Sequence, residues 1–175
     1  MTAGLKNILI TGTPGVGKTT LVRKIITDLR QFNPAGFYTG EIREGGIRKG
    51  FNLTAPDGRA GLLAHVDIKS PLRVGKYGVD TVGFERFLVS LDLSNPENRL
   101  VIIDEIGKME CFSEKFKTLV RTLLDSDRTV IATIALKGGG FITEVKSRED
   151  IVAHQLTFRN RDSLPVEIIR SIDKP

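Results

Sequence analysis

The segment TGTPGVGKTT (residues 11–20) contains the spacing G-x-x-x-x-G-K-[ST] over residues 12–19. The short apolar run NILIT (7–11) precedes it, and the next segment predicts a helix. The apolar residues at helical spacing in that helix are Leu21, Val22, Ile25, Ile26 and Leu29. Strand, glycine loop and helix in this order form the context in which backbone amides turn inward around phosphate oxygens. We therefore predict that the segment binds a nucleoside triphosphate.

The predicted phosphate-binding residues divide into a backbone cradle and two functional side chains. Lys18 is expected to reach the β- and γ-phosphates and to act in catalysis, and the Thr19 hydroxyl to ligate Mg²⁺. The residues expected to contact the nucleotide are Gly12, Thr13, Pro14, Gly15, Val16, Gly17, Lys18, Thr19 and Thr20.

A second acidic site follows the apolar run LVII (100–103), where the chain continues with Asp104 and Glu105. Strand ends of an open α/β sheet face the ligand crevice, so Asp104 is predicted to hold Mg²⁺ together with Thr19. Glu105 is predicted to be catalytic, because a carboxylate beside the metal ligand can aim a water at the γ-phosphorus. The alternative is a strand that ends in two solvated acids.

The chain as a whole predicts one domain, residues 1–175, of the α/β class. Alternating strands and helices indicate a doubly wound, mostly parallel α/β sheet. With the phosphate loop, the adjacent Asp104-Glu105 pair favours a P-loop NTPase of the additional-strand, catalytic-glutamate class. Residues from about 34 to 80 differ, because Gly-Gly and Asp-Gly pairs separate strand-like pieces there. We interpret this part as an antiparallel hairpin insertion on the sheet edge.

Further candidates lie in the last third of the chain. Thr133 belongs to the predicted strand TVIATIA (129–135). It is either a polar residue near the γ-phosphate or a β-branched residue that only packs in the core. Arg148, Arg159 and Arg161 are candidate cations for the transferring phosphoryl group, or else solvated arginines. After the glycine loop at 138–140 we expect a part-alternating strand with Val152, Leu156 and Phe158 on one side, and a closing helix from Leu164.

Composition narrows the function classes. The chain has 175 residues and a net charge of +5 without a long basic run, so a dedicated nucleic-acid surface is not expected. The apolar runs are too short to span a bilayer, and the single cysteine, Cys111, suits a reducing compartment, so we expect a cytoplasmic protein that does not bind membranes. We assign no chemistry to His65 or His154, and we expect a monomer or a weak oligomer.

The segments GFYTGEIREGG (36–46), GKYGVD (75–80) and VIIDEIGKMEC (101–111) carry a family resemblance. Together with the phosphate loop they resemble the small nucleoside-triphosphatases of thermophilic prokaryotes, the family that includes the vertebrate cancer-related nucleoside-triphosphatase. The resemblance implies a three-layer, RecA-like P-loop NTPase fold. It also implies a slow Mg²⁺-dependent hydrolase that converts ATP, GTP and other triphosphates, CTP and UTP included, to diphosphate and phosphate. It also brings in Lys108 and Glu110, without a derived role; Lys108 is either a γ-phosphate contact or a surface lysine.

Three alternatives stay open at this point. The sequence Asp104-Glu105-Ile106-Gly107 matches the D-x-x-G of small GTPases, but no Asn-Lys-x-Asp or Thr-Lys-x-Asp follows to recognise guanine. A nucleoside or nucleotide kinase would use the insertion to cover an acceptor. A nucleic-acid-coupled RecA-like NTPase would show phosphate release stimulated by DNA or RNA, with a steep salt dependence.

Overall fold

The computed structural model describes residues 6–172 and contains one nine-stranded sheet with helices on both faces. The strands are β1 (Asn7–Thr11), β2 (Ala35–Glu44), β3 (Ile47–Thr54), β4 (Ala60–His65), β5 (Arg73–Val74), β6 (Tyr77–Val79), β7 (Leu100–Ile106), β8 (Thr129–Ile134) and β9 (Ile151–Gln155). The helices are α1 (Lys18–Asp28), α2 (Thr81–Leu91), α3 (Glu114–Leu124), α4 (Phe141–Lys146) and α5 (Leu164–Ser171). The predicted domain, 1–175, includes terminal residues outside the described part, and its unity stays a prediction.

The strand order identifies the class of sheet. It is β5-β6-β4-β3-β2-β7-β8-β1-β9, and β2, β7, β8, β1 and β9 pair in parallel. Strand β8 lies between β1, which leads into the glycine loop, and β7, which ends in the acidic pair. This is the additional strand that the sequence predicts, and it confirms the P-loop NTPase fold.

Two apolar cores lie on opposite faces of the parallel strands, because successive side chains of a strand point to opposite sides. In β1, Ile8 and Ile10 join the core beneath α1 and α5, whereas Leu9 joins the core beneath α2, α3 and α4. Strand β7 divides in the same way, with Ile102 on the first face and Ile103 on the second. The continuous apolar runs of the sequence therefore reflect strands that are buried on both faces.

The hairpin insertion is present but begins later than predicted. Gly45 and Gly46, both with positive φ, form the turn between β2 and β3, and Gly58 lies in the turn before β4. The first residues of β2, 35–37, nevertheless pair in parallel with β7. Strand β2 therefore belongs to both parts of the sheet: its first residues pair in parallel with β7, and its later residues pair antiparallel with β3.

Side-chain caps begin the two helices that pack beside the insertion. The Asp80 carboxylate accepts a hydrogen bond from the Gly83 amide at 2.8 Å, and the Ser113 hydroxyl accepts one from the Phe116 amide at 3.1 Å. Both bonds satisfy amides that a helix leaves unpaired in its first turn. Phe84 of α2 and Phe116 of α3 then pack against Phe37 of β2, which anchors the start of the insertion to the core.

The region after β8 differs from the sequence prediction. Residues 141–146 form α4, a short helix that the sequence did not suggest to us. Strand β9 ends at Gln155, so Phe158 lies beyond it with 67% of its surface exposed, whereas Leu156 is buried. Within residues 6–172 no helix is both long enough and apolar enough to cross a membrane.

Candidate active site

The glycine loop connects β1 to α1 and closes on itself. Gly17 precedes the helix at φ 108°, a left-handed conformation that favours glycine. Val16 is buried in the core beneath α1, which holds the loop down, and its amide donates to the Thr13 carbonyl. The Lys18 ammonium donates to the Gly12 carbonyl at 3.1 Å. The loop is therefore a preformed ring of backbone around the start of α1.

Asp104 lies at the centre of a cluster of three threonines. Its carboxylate accepts hydrogen bonds from the hydroxyls of Thr19 at 2.7 Å, Thr39 at 3.1 Å and Thr133 at 2.6 Å. Asp104 is only 1% exposed, so these bonds replace water around a buried charge. Four separate elements, α1, β2, β7 and β8, thus meet at one carboxylate.

Thr133 and Thr39 change the site that the sequence predicts. We predicted that Thr133 lies near the γ-phosphate or serves as a packing residue; it is fully buried, and its hydroxyl donates to Asp104. Its geometry is that of a residue that orients the acid, and its place relative to a γ-phosphate stays a prediction. Thr39 was not among our candidates, since it is 65 residues from Asp104 and lies in the insertion segment. The one feature of the sequence that could have indicated Thr39 is its position in GFYTGEIREGG (36–46), a segment that carries the family resemblance.

Glu105 lies beside the loop lysine. Its carboxylate is 3.7 Å from the Lys18 ammonium, and 30% of its side-chain surface is exposed, compared with 12% for Lys18. Burial raises the pKa of Glu105 above its ordinary value, and the Asp104 charge adds to this, whereas Lys18 opposes it. A carboxylate at the open end of β7 can therefore contact both the loop and a molecule in the cleft.

Lys108, Glu110 and Cys111 follow the acidic pair in a tight turn. Lys108 is exposed and lines the cleft over the loop. Glu110 is 5% exposed, and burial raises its pKa to about 8, helped by the charges of Glu105 and Asp104. Burial also raises the pKa of the Cys111 thiol to about 12, which agrees with its interpretation as a packing residue.

The candidate arginines separate into two groups. Arg148 binds Asp150 at 2.7 Å and Asp125 at 2.8 Å, and Asp150 is tied to Asn7 at the first residue of β1. Because a strand rises about 3.3 Å per residue, Arg148 lies at the opposite edge of the sheet from the loop. The expectation that Arg148 serves the phosphate site of its own chain is therefore wrong.

Arg159 and Arg161 lie on the correct edge. Both are exposed in the turn that follows β9, and the Leu156 amide donates to the Thr11 carbonyl directly before the glycine loop. The guanidinium of Arg161 lies 5.8 Å from the centre of the Phe158 ring. These arginines flank the loop on the side away from Glu105.

The residues around Asp104 fit a magnesium ion. The Thr19 hydroxyl and the Asp104 carboxylate supply adjacent oxygen ligands, the type that Mg²⁺ prefers. Among residues 6–172 there is no group of three or more His, Cys, Asp or Glu side chains arranged for a metal. Mg²⁺ commonly binds through one carboxylate with substrate phosphates and waters, so the sparse ligand set suits it.

Replacing Thr133 by valine tests the orientation of Asp104. Valine keeps the shape but removes the hydroxyl that donates to the carboxylate, and loss of such a partner commonly weakens metal binding by about 10–100-fold. We expect the Kd for Mg²⁺ to rise by at least about tenfold. The matched control is Thr129→Val, at the other end of the same strand. An equal Mg²⁺ requirement in both variants would contradict the assignment.

The fold and the site together define a class. A glycine loop between β1 and α1, an acid at the end of β7 and an added strand between them are the features of a P-loop NTPase of the additional-strand class. A family model described as NTPase matches residues 7–169.

Known relatives identify the family. The chain is 48% identical over 163 residues to the nucleoside-triphosphatase THEP1 of Thermotoga petrophila, covering 93% of this chain and 90% of the relative. It is 37% identical to the human cancer-related nucleoside-triphosphatase, covering 95% and 96%. The crystal structure of THEP1 from Aquifex aeolicus superposes with a TM-score of 0.86 at 35% identity, covering 95% of this chain and 99% of that one. The chain therefore belongs to this nucleoside-triphosphatase family and is a hydrolase.

Proposed function

We propose that the protein is a Mg²⁺-dependent hydrolase that converts nucleoside triphosphates to diphosphates and phosphate, slowly and with broad base preference. One observation carries this proposal: Glu105 follows the candidate metal ligand Asp104 and lies 3.7 Å from the loop lysine, Lys18. A carboxylate in that position is suited to orient a water toward the γ-phosphorus.

In the proposed complex the phosphates occupy the loop from Gly12 to Thr20. The backbone amides and the start of the α1 dipole face the phosphate oxygens, and Lys18 contacts the β- and γ-phosphates. Thr19 and Asp104 would hold Mg²⁺, which would supply positive charge to offset that of the phosphates. Thr39 and Thr133 keep the Asp104 carboxylate in place through their hydrogen bonds.

The proposed reaction is direct transfer of the γ-phosphoryl group to water. Glu105 accepts a hydrogen bond from the water, whose oxygen bonds to the γ-phosphorus while the bond to the bridging oxygen breaks. Lys18 and the loop amides stabilise the charge that develops on the departing diphosphate. The water's protons remain with the phosphate product and the solvent.

The proposal of slow turnover rests on how few arginines line the cleft. Among the described residues that line it, Arg23 is the single arginine, and its guanidinium lies 5.4 Å from the centre of the Tyr38 ring. An arginine that contacts the transferring phosphoryl group is worth about 10³–10⁵ in rate in other P-loop NTPases. A site that relies on lysine for this charge is therefore expected to be slow.

Broad base preference fits the turn after β9. Phe158 is held in an exposed position because Asn160 accepts from the Thr157 amide at 2.7 Å and donates to the Gln155 carbonyl at 2.9 Å. In the proposed complex the γ-phosphate end of the nucleotide faces Glu105, and we place the base toward β9, which lies on the other side of β1 from β7 in the sheet. Every base has a flat face that can stack on an aromatic ring, so contact with Phe158 would not select among bases.

The substitution Phe158→Ala tests this stacking. Stacking of a base on an aromatic residue is worth about 1–3 kcal/mol, so we expect KM to rise about tenfold for ATP, GTP, CTP and UTP alike, with kcat nearly constant. Val166→Ala, an exposed apolar position on α5, is the control and should keep the wild-type KM. An unchanged KM, or a loss confined to one base, would refute the stacking role.

Steady-state phosphate release tests the hydrolase proposal itself. ATP, GTP, CTP and UTP are each supplied with Mg²⁺ or with EDTA, without an acceptor or nucleic acid. We expect release from all four with Mg²⁺ and none with EDTA. Binding of ATP without phosphate release would overturn the proposal, as would release that requires DNA or RNA.

A further inference from the structure

A second pocket lies beside the triphosphate cleft, at the carboxyl ends of β7 and β8. Its volume is about 460 Å³, and small-molecule sites span about 300–1,000 Å³. Lys108, which follows β7, borders both the cleft and this pocket; the other residues that line the pocket do not line the cleft. Ligands of open α/β sheets bind in the crevice outside the carboxyl ends of the strands. The pocket therefore has its own walls and lies where a ligand is expected.

Three lysines line this pocket, and none of the described residues that line it is acidic. They are Lys108, Lys117 and Lys137. Lys108 and Lys137 are exposed, and neither forms an ion pair within residues 6–172. The side chain of Lys117 is only 18% exposed, and it pairs with Glu114, which is 81% exposed. Charge of one sign in a concave site attracts ligands of the opposite sign, so the pocket favours an anion.

The floor of the pocket is apolar. Phe141 and Ile142 are 7% and 5% exposed and belong to the core beneath α2, α3 and α4, and the partly buried Phe112 packs against the same core. An inorganic ion would leave this surface in contact with water, whereas a flat ring can cover it. Lysines above an aromatic floor therefore favour a ring that carries an anionic group.

Hydrogen bonds fix the far wall of the pocket, which is formed by the glycine loop at 138–140 and by α4. The Thr143 hydroxyl donates to the Gly138 carbonyl at 3.1 Å. The Lys146 ammonium donates to the Leu136 carbonyl at 2.8 Å, so this lysine holds α4 to the end of β8. A wall that is already ordered lowers the entropy cost of binding a ligand.

We propose that this pocket binds an organic phosphate, an aromatic ring system that carries one phosphate group, as a nucleoside monophosphate does. Lys117 and Lys137 contact the phosphate as point charges, and the ring packs on Phe112 and Phe141. The ligand binds while a triphosphate occupies the glycine loop, because the two sites have separate walls. The inference goes beyond the proposed function and does not depend on whether the triphosphate is hydrolysed.

Binding of AMP to the loaded protein tests the pocket. The protein is saturated with Mg²⁺ and AMP-PNP, which occupy the glycine loop, and radiolabelled AMP is added in equilibrium dialysis. We expect one AMP to bind per chain. Adenosine lacks the phosphate and inorganic phosphate lacks the ring, so each should bind at least about tenfold more weakly.

Four results of this experiment would overturn the proposal. The first is no binding of AMP at millimolar concentrations, and the second is release of AMP-PNP as AMP binds, which would place AMP in the glycine loop. The third is adenosine binding as tightly as AMP, which would show that the lysines do not recognise the charge. The fourth is inorganic phosphate binding as tightly as AMP, which would show that the floor does not hold a ring.

Two variants locate the bound AMP. Lys117→Gln and Lys137→Gln should each raise the Kd for AMP by about tenfold or more, the usual effect of removing a charged partner from a phosphate. Lys115→Gln is the control, because Lys115 lies on the same helix as Lys117 but is 76% exposed and pairs with Glu85. The Kd for AMP-PNP should remain at the wild-type value in all three variants, since none of these lysines lines the triphosphate cleft.

The variants also separate this proposal from the proposed function. Weaker AMP binding with wild-type phosphate release in Lys137→Gln supports the pocket as a separate site. A wild-type Kd for AMP in both Lys117→Gln and Lys137→Gln would place AMP elsewhere and refute the pocket. An equal rise of the Kd in Lys115→Gln would show that only the net charge of the protein matters, and would refute it as well.

Discussion

The substitution Glu105→Gln is expected to lower kcat for triphosphate hydrolysis by about 10²–10⁴-fold, the usual contribution of a positioned acid or base. Glutamine has the same shape, but it lacks the charge that holds and polarises a water at the open end of β7. The nucleotide Kd should remain within a few-fold of the wild-type value, since the loop amides and Lys18 are unchanged. Loss of the 3.7 Å contact with Glu105 also leaves Lys18 available to the phosphates.

Phosphate release and nucleotide binding are measured separately on this variant. Glu114→Gln serves as the control, because Glu114 is 81% exposed at the start of α3 and far along the chain from the loop. Wild-type turnover in Glu105→Gln would show that another group orients the water. A parallel loss of binding and turnover would instead indicate that Glu105 acts on the loop.

The second large effect is expected on stability, from Gly36→Ala. Gly36 has φ 126°, and a Cβ at this position would lie 1.8 Å from the Ile102 carbonyl oxygen of β7. The backbone strain and the displacement of β7 together predict a loss of about 3 kcal/mol or more in the free energy of unfolding. The clash falls where β2 joins the parallel sheet, so it disturbs the junction that carries Thr39 to Asp104.

Urea denaturation of Gly36→Ala and of Gly139→Ala provides the comparison. Gly139 is exposed, and a Cβ there would have no atom within 4 Å, so the same substitution should cost little. A Gly36→Ala protein within about 1 kcal/mol of wild type would refute the account, because an uncompensated clash of this size exceeds ordinary surface effects. A variant that fails to fold, beside a folded Gly139→Ala, agrees with it.

Much of the fold was predictable from local patterns. NILIT, LVII and TVIATI are apolar runs without alternation, as expected for strands covered by helices on both faces, and they form β1, β7 and β8. Gly-Gly and Asp-Gly marked the hairpin turns correctly. Helix α4 was not predicted because it has only six residues, too few for the spacing of its apolar residues to show a helical period.

The candidate site divides along the same line. The sequence pointed to Gly12–Thr19, Asp104 and Glu105, because a spacing motif and an acid at a strand end are local features. Thr39 and the orientation of Thr133 had no local signal, since each depends on which strands are neighbours. Arg148 was misplaced because sequence distance from a motif does not tell at which edge of the sheet a residue lies.

The sequence by itself determined the strand–loop–helix unit and the acidic strand. These follow from short-range geometry: the conformational freedom of glycine, the period of apolar residues and the chemistry of adjacent side chains. The family was indicated by the resemblance of longer segments such as VIIDEIGKMEC (101–111). The tertiary structure alone decided that three threonines from three elements meet on Asp104, and that residues of the insertion line the cleft over the glycine loop. Those contacts arise from strand order, which places residues 29 to 85 positions apart within hydrogen-bond distance.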